Sequence, residues 1–279
     1  MTEDEEAKLA GKRKRLRKRL WFYGTFVALL WGFYVWQPIQ VDLFPRSLPA
    51  KTSVDPDSAR LFAKGTRVMV IVGHPDDSEF YAAGTLLKLG RAGAELRQLL
   101  HTDGDKAYYF WADNSALREI RQAEQRKASA RWGARELRFL GYPDGRLRKN
   151  EETVAKTVEV LREWKPQYVL CFDPEYPPRS SHQDHRRSGE IAMEACREAK
   201  FTGWVLQFST RAQNYAVNVD KEWTERLDLL AIHASQFSGE RLRFIQAHIA
   251  DSAVAQAGDA GFTFGEGFRC VRFENGTHP

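Results

Sequence analysis

The sequence predicts an α/β fold: a Rossmann-like, mostly parallel sheet with helices on both faces, preceded by an N-terminal transmembrane helix. The first observation is the continuous apolar run at residues 68–72, because a strand with one face in water would alternate. The second is the alternation of strand and helix patterns over roughly 130 residues, which is typical of parallel sheets. The third is a basic run followed by a long uncharged segment near the N-terminus.

Strand and helix signals follow one another in order from residue 68 to residue 200. Strands are predicted at 68–72, 95–101, 136–140 and 168–172. Helices are predicted at 78–91, 115–132, 151–164 and 185–200. Beyond residue 200 the pattern is less regular, with strands expected at 204–209, 214–219 and 267–273 and helices at 221–235 and 239–254.

The composition limits the classes of protein to consider. With 279 residues and 43% hydrophobic content, the chain can bury one large domain beside an appendage. The formal net charge is +5, but residues 1–19 hold eight basic and four acidic side chains, and the remainder holds 34 and 33. The positive charge is therefore a property of the tail, and we expect no nucleic-acid partner for the body.

The N-terminal segment has the pattern of a membrane anchor. The basic run KRKRLRKR at 12–19 is followed by an uncharged run at 20–41 that is rich in aromatic and aliphatic residues. Such a run can cross a hydrocarbon core of ~30 Å at 1.5 Å per residue. Because positive charge accumulates on the cytoplasmic side, we expect a cytoplasmic N-terminus, a lipid-embedded helix and a main domain on the extracytoplasmic side.

Two alternatives to this anchor stay open. A cleaved signal peptide would need a shorter apolar region and a small-residue cleavage site, whereas Trp36, Gln37 and Pro38 follow the apolar run. A basic tail could also bind anionic lipid while the aromatic run is buried in the protein. The favoured division has a cytoplasmic tail at 1–19, a transmembrane helix at 20–41, a linker at 42–65 and the main domain at 66–279.

The first strand leads into the sequence HPDD, which carries the chemistry of a metal site. Pro75 disfavours the α region for His74 and so holds it extended at the end of the strand. Asp77 or Ser78 then caps the next helix, so that His74 and Asp77, three residues apart, can converge on one ion, with Asp76 beside them. A plainer reading of the two aspartates is capping of the helix N-terminus.

A second cluster, SHQDH, follows the strand at 168–172 and brings His182, Asp184 and His185. Ligands bind at the carboxyl ends of parallel strands, so two such loops can meet over a shared ion. Catalytic zinc takes three protein ligands and leaves one position for water. The best assignment is one Zn²⁺ per chain, held by His74, Asp77 and His185.

These motifs resemble the PIG-L (LmbE-like) family of zinc-dependent N-acetylglucosaminyl deacetylases, whose pattern is HPDD after a first strand and HxDH after a later one. Further matches are TDGD at 102–105, Arg121 and Glu124 in IRQAEQRKA, LGYPDG at 140–145, HASQ at 233–236 and GEGFR at 265–269. The resemblance extends over roughly residues 66–273. Gln183 departs from the family, in which proline is frequent at that position.

The resemblance implies zinc ligands at His74, Asp77 and His185, with Asp76 as general base. A developing oxyanion needs a donor such as His182, and we expect Asp184 to orient that imidazole. Arg121 resembles the family's substrate-contacting arginine, and Asp144 is a candidate for contact with sugar hydroxyls. An ordinary surface position is the alternative for both residues. His233 and Gln236 match a family pattern, but a helix packed against the site would look the same.

The leading hypothesis is a membrane-anchored hydrolase that removes acetyl from an N-acetylated amino sugar of an envelope glycan, glycolipid or exopolysaccharide. Its expected partners are that sugar, membrane lipid and the machinery of glycan synthesis. One alternative is a metal-dependent phosphoesterase, since His/Asp clusters also build two-metal sites. Another is a non-catalytic glycan-binding subunit, although a binding module has no need for a free carboxylate beside a metal ligand.

Overall fold

The chain is described from a computed structural model at residues 18, 21, 23–29, 53–106, 115–176 and 182–278. Its strands have the bounds β1 (Arg67–Val72), β2 (Glu95–Thr102), β3 (Ala134–Tyr142), β4 (Tyr168–Phe172), β5 (Gly203–Phe208), β6 (Tyr215–Asn218) and β7 (Gly265–Phe273). Its helices in the domain are α1 (Ser58–Leu61), α2 (Asp77–Arg91), α3 (Ser115–Arg131), α4 (Glu151–Trp164), α5 (Gln183–Glu198), α6 (Trp223–Ala231) and α7 (Gly239–Ala257). A 3₁₀ turn at Asp220–Glu222 precedes α6.

The seven strands form a sheet in the order β3-β2-β1-β4-β5-β7-β6. Strands β1 to β5 are parallel, and β7 and β6 add an antiparallel edge. The order reverses direction between β1 and β4, which are neighbours in space although two strands separate them in the chain. A crevice forms at such a switch point, and the HPDD and HQDH turns follow the two strands that border it.

The sheet is covered on both faces, as predicted. Val68, Val70 and Val72 belong to one hydrophobic cluster, and Met69 and Ile71 belong to another on the opposite side. All five side chains are buried, which explains why the strand reads as an uninterrupted apolar run. The predicted α/β fold with a central, mostly parallel sheet is therefore confirmed for the domain.

Several element bounds differ from the prediction, among them those of β3 and of the helix predicted at 221–235. Strand β3 is longer than the predicted 136–140, because it continues to Tyr142 beside β2. The helix expected at 221–235 is a 3₁₀ turn followed by a helix that ends at Ala231, so His233 lies in a turn. The three cysteines, Cys171, Cys196 and Cys270, are buried and free.

Residues 1–44 and 45–279 form two separate units. In the first unit residues 23–29 are helical, and the described side chains Trp21, Tyr23, Phe26, Val27 and Leu29 are exposed. Within the described parts of the chain, no helix combines the length and the apolar character that a bilayer crossing requires. Residues 20, 22 and 30–41 of the predicted span lie outside the described residues, so the anchor stays a prediction.

Candidate active site

The HPDD turn holds the Asp77 carboxylate in a fixed place. The backbone N–H groups of Gly73 and His74 donate to Asp77 Oδ2 over 3.0 and 2.7 Å. Asp76 lies at the N-cap position of α2, yet its side chain makes no capping hydrogen bond. The plain capping alternative for this residue pair therefore finds no support at Asp76.

The HQDH turn presents its two imidazoles at the start of α5. His185 stacks flat on Phe172, the last residue of β4, with ring centroids 4.2 Å apart and an interplanar angle of 11°. His182 caps the helix, and its Nδ1 accepts a hydrogen bond from the Asp184 N–H over 3.2 Å. The end of β4 thus holds the ring of His185, and the start of α5 holds the ring of His182. The HPDD turn holds Asp77 in a comparable way.

The two turns meet, as the sequence predicts. The ring centroids of His74 and His185 lie 5.2 Å apart, and that of His182 lies 4.9 and 5.1 Å from them. Asp77 bridges the first pair, with Oδ1 3.0 Å from His185 Nε2 and Oδ2 3.5 Å from His74 Nδ1. The three predicted metal ligands are therefore in mutual contact.

The donor set fits a zinc ion. Two imidazole nitrogens and a carboxylate oxygen are ligands that zinc takes in catalytic sites. Among the described residues, two other sets have ligand atoms that all lie within 4.8 Å of one another, namely His74, His182 and His185, and His74, Asp144 and Asp184, whereas the trio with Asp77 is not such a set. Asp77 is the carboxylate that contacts both His74 and His185, so the predicted trio is the one that adds a negative charge to that imidazole pair.

Electrostatics in the cluster favour a cation. Burial alone would raise the pKa of the Asp77 carboxyl, but contacts with His185 and His74 hold that pKa well below its usual range. Burial alone would lower the pKa of His74, but the nearby carboxylates of Asp144, Asp77 and Asp184 raise it well above its usual value. With Asp76, four carboxylates therefore lie in this cluster. A divalent ion would offset their negative charge.

Asp184 does not act on His182 in the way that the sequence predicts. Its carboxylate accepts the N–H groups of Gly145 and Leu147 over 2.6 and 3.2 Å. Oδ2 of Asp184 also lies 3.4 Å from His74 Nε2. The expectation that this carboxylate orients His182 is wrong, because the Asp184 backbone N–H contacts that ring instead.

Asp144 joins Asp184 on the far side of His74. Its Oδ1 lies 3.1 Å from His74 Nε2, a buried nitrogen whose contacts with both carboxylates lack hydrogen-bond alignment. Contact with His74 and Arg121 outweighs burial and lowers the pKa of Asp144 below its usual value. A metal-binding histidine commonly has a carboxylate at its other ring nitrogen, and both residues occupy that place.

Asp76 lies beside the cluster with an unusual backbone. Its φ of 100° falls in a region that favours glycine, and Gln125 Oε1 accepts the Asp76 N–H over 2.8 Å. Burial raises the pKa of the Asp76 carboxyl, and the Arg121 guanidinium opposes that shift. The side chain is therefore a carboxylate next to the predicted ligands with a proton affinity above that of an exposed aspartate.

Arg121 is buried and joins the loops around the site. It donates to Asp76 Oδ2 and Asp144 Oδ2 over 3.2 Å each, and to the Pro75 carbonyl over 2.8 Å. It also donates to the carbonyls of Gly104 and Lys106 in the loop that follows β2. Its predicted contact with substrate stays a prediction, and its contacts within the protein add a second role, which is to hold the carboxylates of Asp76 and Asp144.

A buried network behind Asp76 includes residues that the sequence analysis missed. Gln125, which is fully buried, donates to Glu79 and to Gln98 over 3.1 Å while holding the Asp76 amide. Glu79 also accepts the Trp132 indole N–H over 2.7 Å. The available signal was spacing, because Gln125 lies four residues after Arg121 on the same face of α3.

The HASQ motif packs against this network. His233 is 1% exposed, and its Nε2 lies 3.1 Å from Glu79 Oε2. Ser235 donates its backbone N–H and its hydroxyl to Glu124 on α3. Gln236 donates to the Ser235 hydroxyl. These contacts favour the packing alternative for His233 and Gln236 over direct participation.

His101, at the end of β2, makes stability depend on pH. Its ring contacts the hydroxyls of Ser188 and Thr157 over 3.0 and 3.1 Å, and burial lowers its pKa to about 3. In the unfolded chain the imidazole has a pKa of ~6.5. At a pH between the folded and unfolded pKa values, His101 is therefore protonated in the unfolded state and neutral in the folded state. We expect folding stability to fall by about 2 kcal/mol from pH 7 to pH 5 through this residue alone.

Urea unfolding of wild type and His101→Gln at pH 7 and pH 5 measures this effect. Glutamine keeps a neutral polar group between the two hydroxyls, so the variant serves as its own control for the other titrating groups. The stability loss on acidification should be smaller in the variant by about 2 kcal/mol. Equal losses in the two proteins would contradict a neutral, buried His101.

Fold and site together define a class: an α/β domain with a His/Asp cluster at the switch point of its sheet. Residues 69–196, which contain both turns, match the model of the GlcNAc-PI de-N-acetylase family, PIG-L. The matched residues carry the HPDD and HxDH motifs, from which the sequence predicts this family.

Individual proteins that are similar to this chain are also deacetylases. Diacetylchitobiose deacetylase from Thermococcus kodakarensis is 27% identical over 222 residues, which cover 74% of this chain and 83% of that protein. A probable N-acetyl-alpha-D-glucosaminyl L-malate deacetylase 2 from Bacillus anthracis is 28% identical over 193 residues, 61% of this chain and 81% of that protein. The structure of N,N'-diacetylchitobiose deacetylase from Pyrococcus horikoshii superposes with a TM-score of 0.71 and 26% identity, over 78% of this chain and 86% of that one. Because these relatives are deacetylases, the prediction that the chain is an N-deacetylase is confirmed.

Proposed function

We propose that this chain is a zinc-dependent hydrolase that removes the acetyl group from an N-acetylated amino sugar of the N-acetylglucosamine type. The observation that carries the proposal is the contact of Asp77 with both His74 and His185, beside the separate carboxylate of Asp76. A ligand trio and an uncoordinated base are the two parts that metal-assisted amide hydrolysis requires.

His74, Asp77 and His185 would hold the ion. When bound, zinc lowers the pKa of a water ligand toward ~7 and polarises the amide carbonyl. Asp144 and Asp184 contact the outer nitrogen of His74 and keep its ring turned toward Asp77. The backbone amides of Gly73 and His74 hold Asp77 in the same way from the other side.

Asp76 acts as the general base. Its carboxylate takes a proton from water as the oxygen attacks the amide carbon, and it returns that proton to the leaving amine nitrogen. The raised pKa of Asp76 suits the first step, because a stronger base accepts the proton more readily. Arg121 holds the carboxylate in place through Oδ2.

His182 donates a hydrogen bond to the oxygen that becomes negative as the carbonyl is attacked. Its Nδ1 accepts the Asp184 N–H, so in the neutral ring the proton resides on Nε2. That leaves an N–H donor on the side of the ring that is not used by the helix cap. The tautomer is thus set by the Asp184 backbone rather than by its carboxylate.

The substrate class is supported by the names of the relatives, which specify N-acetylated sugars. The predicted substrate contacts of Arg121 and Asp144 remain part of the proposal, supported by their positions beside Asp76 and His74. An envelope glycan, glycolipid or exopolysaccharide is the proposed acceptor, and glycan-synthesis machinery the proposed partner. Both depend on the N-terminal anchor.

The anchor itself is proposed from sequence. The run KRKRLRKR precedes an uncharged stretch at 20–41, and this order favours a cytoplasmic N-terminus with the catalytic domain on the extracytoplasmic side. Exposed apolar side chains on the described helical residues, Trp21 and Phe26 among them, are compatible with a lipid environment.

The test uses the full chain in detergent with N-acetylglucosamine oligosaccharides as substrate. We expect release of acetate, loss of at least about 100-fold in rate on treatment with a chelator, and recovery with one zinc per chain. Release of phosphate from phosphoesters with two metals per chain would favour the phosphoesterase alternative. Glycan binding without acetate release under zinc-replete conditions would favour the non-catalytic subunit.

A further inference from the structure

Helix α2, which begins at the proposed ligand Asp77, is interrupted after its first turn. Ala82 has φ −142° and ψ 19°, far from helical values. The segment 77–81 is therefore a single turn that the rest of the helix does not hold in line. Some other contact must fix its orientation.

An ion pair from two later elements fills the break. In a continuous helix the Gly84 N–H would donate to the Phe80 carbonyl. Here the Gly84 N–H donates to Glu266 Oε1 over 2.9 Å, and Arg226 Nη2 donates to the Phe80 carbonyl over 3.0 Å. Arg226 Nε closes the bridge by donating to the same Glu266 oxygen over 2.6 Å. Two side chains thus replace one backbone hydrogen bond.

The second half of the helix gains an N-terminal cap from the same carboxylate. Glu266 Oε2 accepts the Thr85 N–H over 2.6 Å, so both of its oxygens bind amides that the break has freed. A carboxylate at amides of this kind is favourable because of the helix dipole. Glycine is needed at 84, since a Cβ there would lie 2.7 Å from Val219.

The pair is too buried to be a surface contact. Glu266 is 1% exposed and Arg226 is 4% exposed. Moving two charges out of water carries a large desolvation cost, which is offset only where further hydrogen bonds satisfy both groups. The backbone groups of Gly84 and Thr85 supply such bonds to Glu266, and the Phe80 carbonyl supplies one to Arg226 Nη2, whereas the buried Arg226 Nη1 has no hydrogen-bond partner among the residues that the structure describes. The bonds that are made are specific to the interrupted helix.

We propose that Glu266 and Arg226 are positioning residues that keep the first turn of α2 at the angle at which Asp77 faces His74 and His185. This inference rests on the proposed function, because it concerns the ligand Asp77. The turn is fixed at its start by the amides of Gly73 and His74, and at its end by Arg226 at the Phe80 carbonyl. The proposal also gives the glutamate of the GEGFR motif a role.

Removal of the pair restores the option of a continuous helix. The Phe80 carbonyl and the Gly84 N–H would then be free to bond with each other, and the first turn would swing relative to β1 and α5. His185 lies on α5 and His74 lies two residues after the end of β1, so neither ring would follow. Zinc affinity should fall although neither Glu266 nor Arg226 is itself a ligand.

The test measures zinc affinity of the full chain by competition with a chelator, together with kcat, KM and thermal unfolding. Glu266→Gln keeps the size of the side chain, and Arg226→Lys keeps the positive charge but loses the forked contact. We expect each variant to bind zinc about tenfold more weakly, the lower end of the range seen when supporting residues are lost. kcat at low zinc should fall and recover in part at saturating zinc, with KM little changed.

Arg91→Ala is the matched control. It removes ion pairs to Glu222 and Glu225 from the opposite end of the same helix, at 2.8 and 2.5 Å, and leaves the break untouched. We expect lower thermal stability with unchanged zinc affinity. Wild-type zinc affinity and kcat equal to those of both variants would overturn the positioning role while leaving the proposed function intact. A wild type that binds no zinc would overturn both.

Discussion

Replacement of Asp76 by asparagine is expected to lower kcat by about 10²–10⁴-fold, the usual contribution of a general base. Asparagine keeps the shape of the side chain and can still accept a hydrogen bond from Arg121, which donates to Asp76 Oδ2 over 3.2 Å. It cannot take a proton from water. KM and the zinc content should change little, because His74, Asp77 and His185 make their contacts without it.

Asp103→Asn is the control for this experiment. Asp103 is also a buried carboxylate at the carboxyl edge of the sheet, and it pairs with Arg118 over 3.0 Å. Its substitution should leave kcat within about threefold of wild type, since a paired carboxylate outside the cluster transfers no proton. If Asp76→Asn kept more than about a tenth of the wild-type rate, the general-base assignment would be lost.

Replacement of Asp77 by asparagine is expected to weaken zinc binding by more than about 100-fold, beyond the effect of losing an outer-shell partner. The side-chain oxygen of asparagine can still accept the amides of Gly73 and His74, so the turn keeps its shape. The negative charge between His74 and His185 is removed. Deacetylation should stop at ordinary zinc concentrations, and metal analysis should find the chain largely free of zinc.

His182→Ala separates this assignment from the trio of three imidazoles. His74, His182 and His185 lie close enough to hold an ion without any carboxylate. If Asp77 is the ligand, the His182 variant retains about one zinc per chain and loses rate, because only the oxyanion donor is missing. Zinc lost from the His182 variant and retained by Asp77→Asn would reverse the assignment.

The parts of the fold that were predictable from sequence depend on local patterns. The run at 68–72 is apolar throughout because β1 has helices on both sides, and this burial is visible in the residue types themselves. The two His/Asp turns were predictable for the same reason, since each is a contiguous stretch at a strand end. Their convergence followed from the shared edge of a parallel sheet.

Other contacts could not be predicted from the sequence, because they join residues that are far apart in the chain. The Asp184 carboxylate accepts hydrogen bonds from the amides of Gly145 and Leu147, and no sequence pattern predicts these contacts. The predicted contact of this carboxylate with His182 was therefore wrong. The stretch 78–91 reads as a regular helix, and its break at Ala82 depends on Glu266, 182 residues after Gly84. Side chains that complete another element's hydrogen bonds leave no periodic signal.

Diffraction at the zinc absorption edge from crystals of the zinc-loaded chain tests the central claim most directly. We expect one strong anomalous peak per chain, at about 2.0–2.2 Å from a nitrogen of His74, a nitrogen of His185 and an oxygen of Asp77. The Asp76 carboxylate should lie near the ion without binding it. A peak held instead by His74, Asp144 and Asp184, or a pair of peaks, would contradict the single-ion deacetylase site.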